Sequence, residues 1–457
     1  MFIPRPPQNL TSCAALSGGA RALVSGFGRP LALLAALAAT VACGAESSDE
    51  DGDAVVIGTA LPFTGEEATI ARNLEQAMLL AVEDVGKAVV GAPRLRLEIR
   101  DSRSGASRGL DGLLELLYEE QVKYLIGPEE NELADEIVPD IKGLDVFNML
   151  PGYASPKIER VSRSGAWMRL SPSHLGWGCG IAELAVHQGV GSSNAIIARD
   201  DFNQDVATDF LTEYNDLGGD VISSVTVQNG ADSYAFTERA LRSGAERTLL
   251  FVNPTTASTI VTEWAVGVRE GNWLLGPTLH TPGFLQNVPR GSLDGAYAIS
   301  PSLSLVTECQ EKNVKYHGPV DCRRTNADAF RDHFKARWDG EEPFPAAYYY
   351  YDAVVLLAMG LEYAAARDNL EPKPRELQAM IVELSNQASV RGRWSDLENV
   401  FQMLSKGTAV GYVGAAAEYE FDQYGAAVHK LFDTWRVKDV DYVAEETLQV
   451  RCVGQAR

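Results

Sequence analysis

The sequence predicts an α/β protein folded as two Rossmann-like lobes, each built around a parallel sheet. Three observations carry this. Short β-rich runs alternate with segments whose apolar residues recur at helical spacing, which is the grammar of βαβ units. The same alternation starts a second time from Asn194. No Pro/Gly/Ser-rich linker, low-complexity tract or short repeat separates the two halves, so they are expected to share strands at a hinge rather than hang on a tether.

The elements follow in order. Ala54–Leu61 (AVVIGTAL) is a strand, and Glu66–Val85 carries apolar residues at helical spacing. Leu95–Arg100 (LRLEIR) alternates cleanly, as a half-buried strand does. Leu110–Gln121 is helical, and Val122–Ile126 is a buried-type strand stopped by Gly127-Pro128. Glu132–Lys142 and Val146–Leu150 repeat the pair. In the second set, strands fall at Asn194–Ala198, Val221–Val227, Thr248–Val252 and Trp273–Leu275. Helices near Gln204–Leu217, Ser233–Ser243 and Thr256–Glu270 lie between them. Ligands of open α/β sheets bind beyond the carboxyl ends of the strands. The cleft between two such lobes is therefore the expected site.

The N-terminus reads as an export signal. Arg5, Arg21 and Arg29 precede a short run of small apolar residues from Leu31, and no acid occurs before Glu46. The run ends at Val41-Ala42-Cys43-Gly44 and an acidic stretch follows. Charged region, apolar region and small-residue cleavage site stand in the order of a signal peptide. The run is too short to span a bilayer, which needs about 20 residues. Residues 1–42 are taken as the signal peptide and 43–53 as an acidic tether. The Cys at the cleavage point points to a lipoprotein, with Cys43 acylated and the protein extracytoplasmic, anchored to a bacterial membrane at its periplasmic face or at the cell surface. The alternative is an ordinary secretory signal with a chance Cys, since Thr40 stands where lipoprotein signals usually carry Leu. A start site downstream of Met1 is also open, because residues 1–28 are long for the charged region.

The formal charge is −22, and loss of three arginines and no acid with residues 1–42 makes it −25. So acidic a chain repels phosphate backbones, which argues against nucleic acid as a partner. Four cysteines remain beyond Cys43: Cys179, Cys309, Cys322 and Cys452. An even number in an exported chain suggests disulfides, with three possible connectivities. Cys309 and Cys322 flank the polar loop Gln310–Asp321 and form the favoured pair. Cys179–Cys452 is then the leftover pairing, unless these two are buried thiols. No CxxC is present and the six His are scattered, so neither a metal nor another cofactor is expected.

The motifs, taken in order, resemble a known family. Ile57–Val82 (IGTALPFTGEEATIARNLEQAMLLAV) looks like the opening of type I periplasmic solute-binding proteins, the leucine/isoleucine/valine-binding family of ABC transporters. Tyr124–Pro128 (YLIGP) resembles its third strand and Gly-Pro exit. Pro151–Pro156 (PGYASP) resembles its Pro-Gly-x-x-Ser-Pro loop, and Arg199–Asn203 (RDDFN) its Asp-Asp-Tyr-Gly turn. Tyr351-Asp352-Ala353-Val354 and Phe421–Val437 match its late helix and closing hairpin. The likeness covers about residues 54 to 445. It implies the periplasmic binding protein type I fold, with three crossovers near Trp167–Ser171, Gly295–Ser300 and Phe421–Tyr424. Lobe I would be 54–168 plus 298–420, and lobe II 172–295 plus 421–457. It further implies an extracytoplasmic receptor, expected to be a monomer, that captures a small polar solute and delivers it to an ABC permease. A ligand sensor of the same fold, coupled to a signalling or envelope partner, is the alternative.

Site residues carry over one at a time. Thr64 lies in the Pro62-Phe63-Thr64-Gly65 segment. Asn131, preceded by Glu129 and Glu130, stands where amino-acid binders place a Ser. Ala154, between Tyr153 and Ser155, replaces the Thr that helps hold the ligand carboxylate. Phe202 replaces the aromatic of the Asp-Asp-Tyr turn. Asn253 follows the Thr248–Val252 strand. Thr278, after Gly276-Pro277, falls where an acid would pair with the ligand ammonium. Both amino-acid signatures are thus altered, and an aliphatic amino acid does not follow as ligand. For each of these residues ordinary loop capping is the competing role. Catalysis has little support. Gly105-Ala106-Ser107-Arg108-Gly109 fits G-x-S-x-G, but Asp101–Gly105 intervenes between strand and Ser, where a nucleophile elbow needs a tight turn. No enzyme activity is expected.

Overall fold

The computed structural model describes residues 54–452, apart from 66–67, 104–105, 142, 153–165, 231–232, 268–271, 304–314, 317–325, 429–430 and 451. Two large sheets organise the chain. The first is wholly parallel, with strands β1 (Val55–Leu61), β2 (Leu95–Asp101), β3 (Tyr124–Ile126), β4 (Phe147–Leu150) and β5 (Ala166–Arg169) in the order β2-β1-β3-β4-β5. The second holds β6 (Ser192–Ala198), β7 (Asp220–Val227), β8 (Arg247–Phe251), β9 (Trp273–Leu275) and β10 (Tyr297–Pro301), with the late hairpin β14 (Leu431–Lys438) and β15 (Asp441–Gln449). Its order is β15-β14-β10-β9-β8-β6-β7. It is parallel as far as β10, and β14 and β15 are antiparallel. Read from β7 to β10, the second sheet repeats the order of the first: second strand, first, third, fourth, fifth. A small parallel sheet of β11 (Lys315–Tyr316), β12 (Val390–Arg393) and β13 (Val410–Val413) completes the described strands.

Each large sheet is covered on both faces, as parallel sheets are. On the first, the Ala68–Ala88 and Pro345–Ala365 helices close one face around Ile57, Tyr124, Met149 and Met168. The Ala106–Leu114 and Asn131–Ile141 helices close the other around Leu125, Leu150 and Trp167. The second sheet has two cores of its own, one under the His174–His187 and Asp201–Asp216 helices and one under Pro254–Val266. The Pro345–Ala365 helix starts with Pro, whose missing N–H would be unpaired there in any case. It is buried at every position from Ala347 to Ala364, which suits a helix that is apolar all round.

Two acids sit inside that helix and each is fully matched. Asp352 accepts from Tyr412 Oη (2.7 Å), Ala415 N (2.7 Å), Ala416 N (2.8 Å) and Tyr419 Oη (2.9 Å). Glu362 accepts from the successive amides of Val90 (3.2 Å), Gly91 (2.7 Å) and Ala92 (2.9 Å). Buried carboxylates need such donors to offset their lost hydration.

The crossings between sheets differ from the sequence expectation at two of three places. Leu170 packs in the first core, and the second lobe begins at the His174–His187 helix, whose Ser173 cap accepts from Gly176 N at 3.1 Å. Lobe I was expected to resume at 298, but Tyr297–Pro301 is a strand of the second sheet, and Leu303 is the residue that meets the first core. Lobe II was expected to resume at 421, yet Phe421 and Ala427 still pack in the first core and β14 starts only at Leu431. A strand's composition reports burial, not which sheet it joins.

Cysteine pairing is described for the expected leftover pair. Cys179 and Cys452 are disulfide-bonded, with Cα atoms 5.5 Å apart. The leftover pair is thus a bridge, not two buried thiols. The favoured pair, Cys309 and Cys322, lies outside the described residues, as does Cys43.

Candidate functional site

The path of the chain fixes where a cleft must be. It leaves the first sheet at the carboxyl end of β5 and leaves the second at the carboxyl end of β10, through Ser302 and Leu303. Both exits lie at strand carboxyl ends, so these ends of the two sheets are drawn together at the hinge. In each sheet the strand order reverses next to the first strand, between β1 and β3 and between β6 and β8. Such switch points are where α/β sheets hold ligands.

In the first lobe the loops after β1, β2, β3 and β4 converge. Phe63 N donates to Asp101 Oδ1 at 2.9 Å, which ties the Pro62–Gly65 loop to the end of β2. Thr64 is exposed there. Beyond β3 the chain turns through a cis Gly127-Pro128 bond, with Gly127 at φ 92°, a conformation glycine adopts freely. Glu129 and Glu130 follow. Ser102 Oγ donates to Glu130 Oε1 at 2.5 Å, and Tyr350 Oη donates to Glu129 Oε2 at 2.8 Å. Gly152 leaves room for this: a Cβ there would overlap the Glu129 carboxylate. Burial, and next the Glu129 charge, hold the Tyr350 hydroxyl well above its usual pKa, so it serves as a donor. Asn131 is the first residue of the Asn131–Ile141 helix.

The second lobe presents a polar network instead. Asp200 caps the Asp201–Asp216 helix, accepting from Asn203 N at 2.9 Å, and Asn229 Nδ2 donates to its other oxygen at 3.1 Å. Thr256 Oγ1 joins Asn229 Oδ1 (3.3 Å) to Gly230 N (2.9 Å). Asn253 accepts from Thr256 N at 2.9 Å as the cap of Pro254–Val266. Thr278 Oγ1 donates to Val252 O at 2.9 Å. Phe202 is 6% exposed and packs in the lobe's core with Ile197 and Val206.

The structure therefore brings Glu130 to the converging first-lobe loops, with Thr64 on the loop after β1 and Asn131 at the start of the Asn131–Ile141 helix. It commits the side chains of Asn253 and Thr278 to local backbone and turns Phe202 inward. Tyr153, Ala154 and Ser155 lie outside the described residues. Ser102 and the tyrosine run Tyr348–Tyr351 were not among the expected site residues. All four tyrosines are buried, Tyr350 reaching Glu129 and Tyr351 donating to Asp84 at 3.0 Å. Four consecutive helical tyrosines face all sides, so only the neighbours decide which of them meets the loops. Ser107 lies inside the Ala106–Leu114 helix and not on a turn.

Among the described residues no cluster of His, Cys, Asp or Glu is placed to hold a metal ion. No described helix is long and apolar enough to cross a membrane. An open groove of about 670 Å³ lined by Ile222, Ser223, Arg239 and Arg242 lies beside the amino-terminal half of β7, away from the converging loops.

Residues 73–439 match the family described as "Receptor family ligand binding region", and the chain belongs to that family. Its fold is that of the type I periplasmic solute-binding proteins. The chain is similar to a leucine binding protein LivK from Thermotoga maritima, at 16% identity and TM-score 0.67, covering 86% of this chain and 99% of the other. It is similar to the substrate-binding protein LivJ of Streptococcus pneumoniae in complex with isoleucine, at 15% identity and TM-score 0.66, covering 87% and 99%. A solute-binding protein of an ABC transporter from Rhodopseudomonas palustris HaA2, in complex with p-hydroxybenzoic acid, aligns at 16% identity and TM-score 0.67, covering 88% and 100%. At these identities the likeness establishes the fold. No curated protein matches the chain.

Proposed function

We propose that the protein is an extracytoplasmic solute-binding receptor that takes a small polar ligand between its two lobes and delivers it to an ABC permease. The observation that carries this reading is the pair of sheets with the same strand order, whose carboxyl ends meet at the crossings. The family match and the ligand-bound relatives of the same fold support it. The cargo is held by residues of the converging loops, with Thr64, Glu130, Asn131, Tyr153, Ala154 and Ser155 on the first lobe. Phe202, Asn253 and Thr278 shape the second by positioning its backbone. The protein acts as a monomer without a cofactor, and Cys43 carries the lipid that keeps it at the membrane.

The cargo is not a plain aliphatic α-amino acid. Such a zwitterion needs donors for its carboxylate and an acid for its ammonium, and an ammonium closed into a cleft without one loses hydration uncompensated. At the Gly276-Pro277 step the next residue is Thr278, whose hydroxyl is taken by Val252 O. Glu129 and Glu130, just beyond β3 in the first lobe, suit a cationic or amide-like solute, while Asp200 beyond β6 in the second lobe is engaged by Asn203 N and Asn229. Native mass spectrometry of gently purified protein should reveal a co-purified small molecule, and calorimetry should show no micromolar binding of leucine, isoleucine or valine. Micromolar binding of any of them, unchanged when Glu129, Glu130 and Thr278 are substituted, refutes the ligand class.

A further inference from the structure

We infer that Gln378 is a hinge clamp: its side-chain amide fastens two of the three interlobe segments to the first lobe, so that closure pivots on the second-lobe side of it. Gln378 lies on the Pro374–Gln387 helix of the first lobe. Its Nε2 donates to Trp167 O at 2.8 Å and to Tyr424 O at 2.9 Å. Both partners are carbonyl oxygens, so only the NH₂ end of the amide can face them, and both its hydrogens are used. Two turns on, Asn386 Nδ2 donates to Phe421 O at 2.6 Å while its Oδ1 accepts from Phe421 N at 2.9 Å.

The two clamped segments are also bonded to each other. Arg169 N donates to Gly425 O at 2.9 Å, and Ala427 N donates to Arg169 O at 2.8 Å. Gly425 sits at φ 86°, and a Cβ there would lie 2.6 Å from Gln378 Nε2 and 2.7 Å from Trp167 O. Glycine is needed for both reasons. This ribbon is therefore a rigid part of the first lobe up to Leu170 and Ala427. On the other side, the third segment is bonded into the second lobe, with Ser302 N donating to Leu431 O at 3.0 Å. Between ribbon and lobe, Ser171 Oγ is buried without a partner among the described residues, and the chain is next held at the Ser173 cap. Hinges are a few residues that absorb a change in φ/ψ. Here Ser171 and Pro172 are such residues.

The inference rests on the receptor reading for its purpose, but its test needs neither solute nor permease, so either can fail alone. Native-state hydrogen exchange should find the amides of Arg169 and Ala427 protected to the level of β1, and that of Ser171 far less. Gln378→Met keeps the size and removes both donors. It should speed exchange at Arg169 and Ala427 by roughly tenfold, as loss of two modest hydrogen bonds predicts, with β1 and β6 unchanged. Spin labels at exposed Arg72 and Gln204 should report a broader interlobe distance distribution in that variant. Gly425→Ala, which displaces the amide, should act alike. Arg169 and Ala427 exchanging as fast as Ser171 in the native protein overturns the clamp even if both variants fail to fold. So does a Gln378→Met protein whose distance distribution is unchanged, or one whose exchange rises uniformly across both sheets.

Discussion

Asp352 shows what a single buried acid does to the pH dependence of the fold. Burial pushes its carboxyl up to about 7, against the pull of the backbone amides and tyrosine hydroxyls around it. The folded state then binds a proton more readily than the unfolded chain, in which Asp titrates near 4. The group's contribution is fully present below the unfolded value and is lost as pH rises through about 7. Thermal unfolding followed from pH 4 to pH 8 should show a declining component that Asp352→Asn removes. A second test at this scale concerns Gly152. Gly152→Ala forces Glu129 off its bond with Tyr350 and should destabilise by about 1–3 kcal/mol, as overpacking does. In a Glu129→Ala background the same change should be nearly neutral, and denaturant melts of the four proteins give the coupling. Neither contact is legible from spacing: the residues lie far apart in the chain, and only the register of β3 and β4 against the Pro345–Ala365 helix brings them together.

Among the elements, the disulfide and the helix caps carry the clearest expectations. The Cys179–Cys452 bridge ties the chain after β15 to the His174–His187 helix across 273 residues. In the chain-entropy model a loop that long is worth about 5 kcal/mol. Cys179→Ala with Cys452→Ala should lower the unfolding midpoint of the oxidised protein well below that of the oxidised wild type. Peptide mapping without reduction should show this link together with the proposed Cys309–Cys322 link; a free thiol at 309 or 322 removes the second. Asn253→Ala should cost about 1 kcal/mol through loss of the cap. The strands were readable because β-branched runs bounded by turn residues are a local signal, and β1, β2 and β6 to β9 appear close to where the pattern put them. The Leu110–Gln121 helix instead opens earlier, at Ala106, and closes in a π-helical turn over Glu115–Glu119, which periodicity does not distinguish from an α-helix.

For the whole molecule, the expectation to test first is anchoring. Cys43→Ala should move the protein from the membrane to the soluble fraction, and unchanged partitioning removes the lipoprotein reading. Stable anchoring takes more than one acyl chain, so mass analysis of the N-terminal peptide should show multiple acylation.

By itself the sequence determined the α/β class, the two tandem units and the resemblance that led to the family, because helix and strand periodicities and short motifs are local properties of a chain. The residues on which the proposed ligand class rests, Glu129, Glu130 and Thr278, can likewise be read without coordinates. Tertiary structure decided the rest. Residues 297–301 belong to the second sheet because β14 and β9 flank them. Cys179 pairs with Cys452 because the chain after β15 returns to the helix that opened the lobe. Asn253 is a cap, Phe202 is core and Tyr350 is a donor because of what packs against each. Those are contacts between distant segments, whose closing entropy is repaid only by the assembled fold and leaves no periodic trace in the sequence.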